Sequence, residues 1–248
     1  MSSKRLEGRV AVVTGASRGI GYFAAQKLAE EGAHIIAIAR TVGGLEELDD
    51  EIQKVGSSAT LVPLDLTDYD AIDRLGAAIF ERWKKLDILV GNAGILGPTS
   101  PLGHVDPKKF DDVMSINVTA NWRLIRSLDP LLRQSDAGRT VFMTSGAPHK
   151  CRAYWGPYSM SKAALEALVR TYVNETQKTN VKSMLINPGP MRTGMRAKAM
   201  PGEDPMTLPH PAELAEHILQ FSLPTSEDNG RLFDFPSKEI RDFVPLTS

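Results

Sequence analysis

The sequence predicts an α/β protein, a single Rossmann-fold domain whose doubly wound, seven-stranded parallel sheet carries helices on both faces. Three observations predict it. Short apolar runs alternate with longer amphipathic segments along the chain, the pattern of repeated βαβ units with right-handed crossovers. A glycine-rich turn, Gly15 to Gly21, joins the first apolar run to the first amphipathic segment, where a dinucleotide-binding fold needs one. The length, 248 residues, suits one such domain, so residues 1–248 are expected to form one unit.

The elements follow in order. Residues 10–13 (VAVV) are continuously apolar and end at Thr14-Gly15, as in a strand buried on both faces. Ile20, Phe23, Ala24 and Leu28 then share one helical face, and Gly32 stops that helix. Residues 34–39 read as strand two, about 45–55 as a helix, 60–64 as strand three and about 69–85 as a helix. Residues 87–90 read as strand four, and one long helix is expected over about 107–133. Strand five follows at 140–144, a helix at about 158–179, strand six at 181–186, a short helix at 212–221 and a last strand at 231–234. Residues 187–211 hold six prolines and no regular period. An irregular stretch of that length is usually functional, and it reads as the substrate loop.

Bulk properties exclude several classes. Hydrophobic residues make up 42% and charged residues 24%, and the net charge is -1 with no long charged block. Neither nucleic-acid binding nor membrane-surface binding is expected from that balance. No apolar run is long enough to span a bilayer, and the charged N-terminus leads into no signal-peptide core. The last three residues, Leu-Thr-Ser, match no targeting address. The single cysteine, Cys151, excludes an intramolecular disulfide. A cytoplasmic protein is expected. His34, His104, His210, His217 and Cys151 show no metal-ligand spacing, so no metal is expected.

The chemistry starts in the first turn, Thr14-Gly15-Ala16-Ser17-Arg18-Gly19-Ile20-Gly21. Glycines let the chain turn sharply and let a pyrophosphate approach the backbone, while the following helix offers free N–H groups and a positive dipole end. The spacing is G-x-x-x-G-x-G. Strand two ends Ala37-Ile38-Ala39-Arg40-Thr41, without the acid that would bind a ribose 2′-hydroxyl. Arg40 and Arg18 instead suit a 2′-phosphate. NADP(H) is therefore expected in preference to NAD(H).

Ser145 is followed by Tyr158 and Lys162. The last two share a helix face at i,i+4. A phenol is a poor base at neutral pH, and a neighbouring ammonium is expected to lower its pKa. A serine hydroxyl can hold a substrate oxygen.

Taken together, these motifs resemble the short-chain dehydrogenase/reductase family of the roughly 250-residue kind, over nearly the whole chain. The cofactor turn is one match. Asp65, in Leu64-Asp65-Leu66-Thr67, matches the acid near the adenine. Asn92-Ala93-Gly94 matches the turn after strand four, and Asn117 the family's helix asparagine. Asn187-Pro188-Gly189, Met191 and Thr193 match the segment that contacts the nicotinamide. The resemblance implies roles: Tyr158 as general acid in reduction and base in oxidation, and Ser145 as the group orienting the substrate oxygen. Lys162 would bind the nicotinamide ribose and lower the tyrosine pKa. Asn117 would hold a proton-relaying water. Gly91 departs from the family, which often has a second asparagine there. The C-terminal strand lacks the glycine pair many members show. Residues 192–205 are similar to a bacterial subgroup of oxidoreductases.

Ala147, His149, Tyr154, Trp155, Met191 and Met195 are candidate substrate-facing residues. His149, Lys150 and Arg152 form a cationic cluster, suited either to an acidic substrate group or to a solvated face. The resemblance implies a homodimer or homotetramer. The expected function is hydride transfer between NADP(H) and a carbonyl or alcohol carbon of a small molecule. The alternative is a non-catalytic NADP(H)-binding regulator on the same fold, which would have no need of Ser145, Tyr158 and Lys162 together.

Overall fold

A computed structural model describes residues 4–243; the termini that bear on targeting lie outside that range. The strands are β1 (Val10–Thr14), β2 (His34–Ala39), β3 (Ala59–Pro63), β4 (Ile88–Gly91), β5 (Arg139–Met143), β6 (Lys182–Asn187), β7 (Arg231–Asp234) and β8 (Glu239–Arg241). They form one sheet in the order β3-β2-β1-β4-β5-β6-β7-β8. The order reverses between β1 and β4, where α/β sheets open a crevice for ligands. Every pairing is parallel except β7 with β8.

The expected seven-stranded parallel sheet is thus an eight-stranded sheet with one antiparallel edge. β8 has only three residues, charged-apolar-charged, too short to show a period. It exists through tertiary pairing, with Phe233 opposite Ile240 and Leu232 opposite Arg241.

β1, β4 and β5 are buried at every residue, which explains their largely apolar character; Arg139 and Thr140 of β5 and Thr14 of β1 are buried polar exceptions. One apolar layer lies under α1 (Gly19–Glu30), α2 (Val42–Lys54) and α9 (Ala212–Ser222), with Leu28, Leu45 and Ile218 inaccessible. The opposite layer lies under α3 (Tyr69–Trp83), α5 (Ala120–Leu132) and α7 (Gly156–Thr176), with Ile72, Leu124 and Leu165 inaccessible. Helices therefore cover both faces, as expected.

Three segments differ in detail from the sequence expectations. The long helix over 107–133 is two, α4 (Pro107–Met114) and α5, joined by a π-helical bulge at Ser115–Thr119. A four-residue helix, α6 (Ala147–Lys150), precedes α7. The proline-rich stretch is not wholly irregular, because it contains α8 (Gly194–Ala199) and a 3₁₀ turn at Pro205–Thr207. Its six prolines all fall outside α8. The Thr193 hydroxyl accepts from the Arg196 N–H at 3.3 Å, capping α8.

Candidate active site

The crevice begins at the glycine turn. Gly15 and Gly19 adopt left-handed φ of 66° and 59°, angles that cost a side chain strain. A Cβ on Gly21 would lie 2.4 Å from the Gly15 carbonyl oxygen, so only glycine lets the helix meet the turn. Arg18 precedes α1 and makes no side-chain cap, leaving the first N–H groups of the helix without one. Across the crevice, the Thr193 methyl lies 3.6 Å from where a Gly19 Cβ would stand. Turn and α8 thus face each other over a cradle that side chains would fill.

The ends of β1 and β4 are tied together. The Thr14 hydroxyl accepts from the N–H groups of Asn92 and Ala93, each at 3.0 Å. The Asn92 amide donates to the Thr14 carbonyl at 2.9 Å. Asn92 therefore braces the turn through its side chain. Gly91, the departure from the family, has a steric cause, since a Cβ there would lie 2.3 Å from Cδ1 of Phe142. The adjacent strand's aromatic ring occupies the space a second asparagine would need.

Arg40 directly follows β2 and Arg18 lies in the glycine turn before α1; both are exposed. An Arg40 guanidinium nitrogen lies 3.8 Å from the Asp65 carboxylate, with both side chains about half exposed, a loose pair of little energetic weight. Asp65 is held instead by the Thr67 N–H and hydroxyl, both at 2.9 Å. The Thr67 N–H leads the causes that keep its carboxyl below the usual range. Leu66 beside it is buried.

The second half of the site gathers around α7. Ser145 follows β5, and its hydroxyl accepts from the Ala147 N–H at 3.1 Å. Tyr158 stands on the first turn of α7, 8% exposed. Burial pushes its phenol pKa up, and a hydrogen bond with Ser145 draws it back down. The expected lowering by Lys162 is not what these surroundings produce. The ammonium is 5.8 Å from the Tyr158 ring centre and donates to the Met143 carbonyl at 2.7 Å, while desolvation dominates. Lys162 is itself 4% exposed, and burial pulls its pKa down to about 8 against the raising influence of Glu166.

Asn117 lies inside the π-helical bulge and is fully buried. Its amide oxygen accepts from the Ile95 N–H at 2.8 Å; its amide nitrogen donates to the Ile95 carbonyl and the Ser161 hydroxyl, both at 2.9 Å. Its backbone carbonyl accepts from Asn121 at 2.9 Å. A Cβ on Gly94 would stand 3.1 Å from the Asn117 amide oxygen and 3.6 Å from the Lys162 ammonium. Gly94, Asn117 and Lys162 therefore meet beneath Tyr158.

A cavity of about 710 Å³ opens over Ser145 and Tyr158. Ile20, Pro188, Gly189, Met191 and Thr193, expected to contact the cofactor, line it. Of the expected substrate-facing residues, Ala147, His149, Trp155 and Met195 also line it, but Tyr154 does not. Tyr154 is 59% exposed and has left-handed φ of 73°.

Three buried or half-buried groups escape a sequence reading. Asp234 accepts from the Asn187 amide at 2.6 Å, fixing the loop start from β7. Glu166, 6% exposed, accepts from the Thr144 hydroxyl at 2.6 Å and contacts His149 Nε2 at 3.2 Å. Ser161 steadies Asn117. Only Glu166 left a signal, one helical turn beyond Lys162. Among the described residues no cluster has metal-ligand geometry, and no helix is long and apolar enough to cross a membrane.

Residues 9–204 match the family described as short chain dehydrogenase. The chain is 38% identical over 212 residues to the uncharacterized oxidoreductase YciK of Escherichia coli K12, covering 84% of each. It superimposes on a short chain dehydrogenase from Pseudomonas syringae with a TM-score of 0.90 at 37% identity, covering 94% of this chain and 96% of the other. A short chain dehydrogenase from Escherichia coli CFT073, complexed with NADPH, gives a TM-score of 0.89 at 36% identity, covering 95% and 99%. By sequence and by fold, then, this chain belongs to the short-chain dehydrogenase/reductase family.

Proposed function

We propose that this oxidoreductase is NADP(H)-dependent and moves a hydride to or from a carbonyl or alcohol carbon of a small molecule. The observation that carries it is the placement of Ser145 and Tyr158 on the wall of one cavity, with the buried Lys162 ammonium 5.8 Å from the Tyr158 ring centre. A protein that only sensed the cofactor would have no use for that arrangement.

The cradle fits the cofactor. Glycines at 15, 19 and 21 admit a pyrophosphate to the uncapped start of α1. Arg40 after β2 and Arg18 in the glycine turn are both exposed, and only a loose Asp65 contact competes for Arg40. A 2′-phosphate would draw both guanidinium groups. The crystallised relative that carries NADPH supports the same preference.

When bound, NADPH supplies the hydride. The chain's residues do the rest. Ser145 donates to the substrate oxygen and fixes the carbonyl against Tyr158. Tyr158, its pKa raised by burial, keeps its proton at neutral pH and gives it to the oxygen as negative charge develops there. Lys162 holds positive charge beneath the phenol up to about pH 8. Asn117 and Gly94 keep the Lys162 head close to the floor. Met191, Met195 and Trp155 present apolar surface to the substrate.

The test is a screen of purified protein with NADPH and NADH against ketones, aldehydes and oxo acids, following absorbance at 340 nm. Turnover that favours NADPH, with the preference lost in Arg40→Ala, is expected. Tight NADPH binding with no turnover of any substrate would favour the regulator instead.

A further inference from the structure

The cavity's charges are unevenly paired. Arg196 is forked onto Glu203 at 2.5 and 2.6 Å. Arg241 contacts Asp234 at 3.3 Å and Glu239 at 3.1 Å. Asp242, also on the wall, is bound by Arg231 at 2.8 Å. His149 reaches Glu166. Lys150 and Arg152 also line the cavity, yet among the described residues neither has a carboxylate within ion-pair distance. Uncompensated positive charge is thus concentrated on one segment of the wall.

Lys150 and Arg152 are exposed at the cavity edge, on a segment whose backbone turns sharply twice. α6 ends at Cys151, whose left-handed φ of 42° turns the chain sharply, and Tyr154 at 73° turns it again. Two of the four non-glycine residues with such angles among those described fall in this short stretch, and strain of this kind gathers at functional positions. The Lys150 side chain folds back over its own helix. Its ammonium lies 3.8 Å, and its Cε 3.7 Å, from where a Gly146 Cβ would stand, and the Asn187 amide is 3.5 Å from the same point. Gly146 directly follows Ser145, which lines the cavity together with Tyr158. Absence of a side chain at 146 leaves room for Lys150 to overhang the reacting position.

We propose that the substrate is an oxo acid, or the matching hydroxy acid, whose carboxylate is received by Lys150 with Arg152 at the cavity mouth. This deepens the reading of the site as a carbonyl–alcohol oxidoreductase and rests on it. The body of the substrate lies on Trp155, Met191 and Met195. The carboxylate lies within a few bonds of the reacting carbon, because Lys150 stands beside Ser145 rather than at the far rim. A neutral ketone of the same shape would leave the two cations without a partner and gain nothing from them. A compact ammonium with one nearby guanidinium suits a carboxylate.

The experiment pairs 2-, 3- and 4-oxo acids with their methyl esters as substrates, in wild type and in Lys150→Met and Arg152→Ala. The NADP(H)-loaded protein is titrated in parallel with the corresponding hydroxy acids and their esters by calorimetry. The expected result is that an acid exceeds its ester in kcat/KM and in affinity by about tenfold or more. Lys150→Met should remove that preference while the ester's values stay within about twofold. An ester that binds and reacts as well as its acid in the wild type would overturn the proposal. So would equal losses for acid and ester in Lys150→Met. If no pair were turned over but the hydroxy acids still bound in a Lys150-dependent way, the oxidoreductase reading would fail and the carboxylate site would stand.

Discussion

The Lys162 ammonium donates a 2.7 Å hydrogen bond to the Met143 carbonyl at the end of β5. This bond holds a cation in a place that is almost closed to water. The folded-state pKa falls from 10.5 to about 8. A charged lysine there opposes folding below pH 8, and the opposition fades as pH rises towards 10.5. The full cost is about 3 kcal/mol from the shift alone, reduced by about 1 kcal/mol for the hydrogen bond. Lys162→Met should therefore be more stable than wild type at pH 7, with Tm higher by about 5 °C. The gain should shrink by pH 10. Thermal unfolding followed by circular dichroism across that range checks both sign and window.

Glu166 raises the Lys162 pKa from one helical turn away. Neutralising it with Glu166→Gln should lower that pKa and move the alkaline limb of kcat/KM for carbonyl reduction to lower pH. The Thr144 hydroxyl bond can be kept by the amide, so packing should survive. A pH–rate profile that does not move, in a variant with wild-type Tm, would show that Glu166 does not act through Lys162.

Gly91 packs against Phe142 with no room for a methyl group. Gly91→Ala should destabilise the protein by about 1–3 kcal/mol, the range for overpacked cores. Phe142→Leu in the same chain should return part of that loss. Urea denaturation of both variants measures it. The result separates a steric cause for this departure from the family from one based on cofactor contact.

Most of the sheet was legible because its central strands are buried on both faces and read as largely apolar runs. Helical spacing placed Tyr158 and Lys162 on one face, but it was the resemblance to the family, carried by several motifs together, that singled out Ser145, Tyr158 and Lys162. The unread parts depend on tertiary contact. β8 is defined by pairing with β7, not by its own pattern. Asp234 meets Asn187 from 47 residues away, a separation that leaves no periodic trace. The π-helical bulge around Asn117 keeps the residue types of an ordinary helix. Burial of Tyr158, which reverses the pKa direction expected from a neighbouring ammonium, cannot be read from spacing.

Arg40 offers a test of cofactor choice that is independent of the chemistry. Arg40→Ala should weaken NADPH by about tenfold or more, the loss of a charge-assisted hydrogen bond, and leave NADH within about twofold. Fluorescence titration of both cofactors measures this without any substrate. Equal weakening of the two would place the guanidinium away from a 2′-phosphate.

Whether Tyr158 gives its proton while NADPH gives the hydride is decided by a single-turnover reduction with NADPH deuterated at C4, using whichever substrate the screen selects, in wild type and Tyr158→Phe. Hydride transfer puts deuterium on the carbinol carbon of the product. Proton donation by Tyr158 makes the rate about a hundredfold lower in Tyr158→Phe, with NADPH affinity within twofold of wild type. Product without label, or a Tyr158→Phe variant that keeps most of the wild-type rate, would contradict this chemistry.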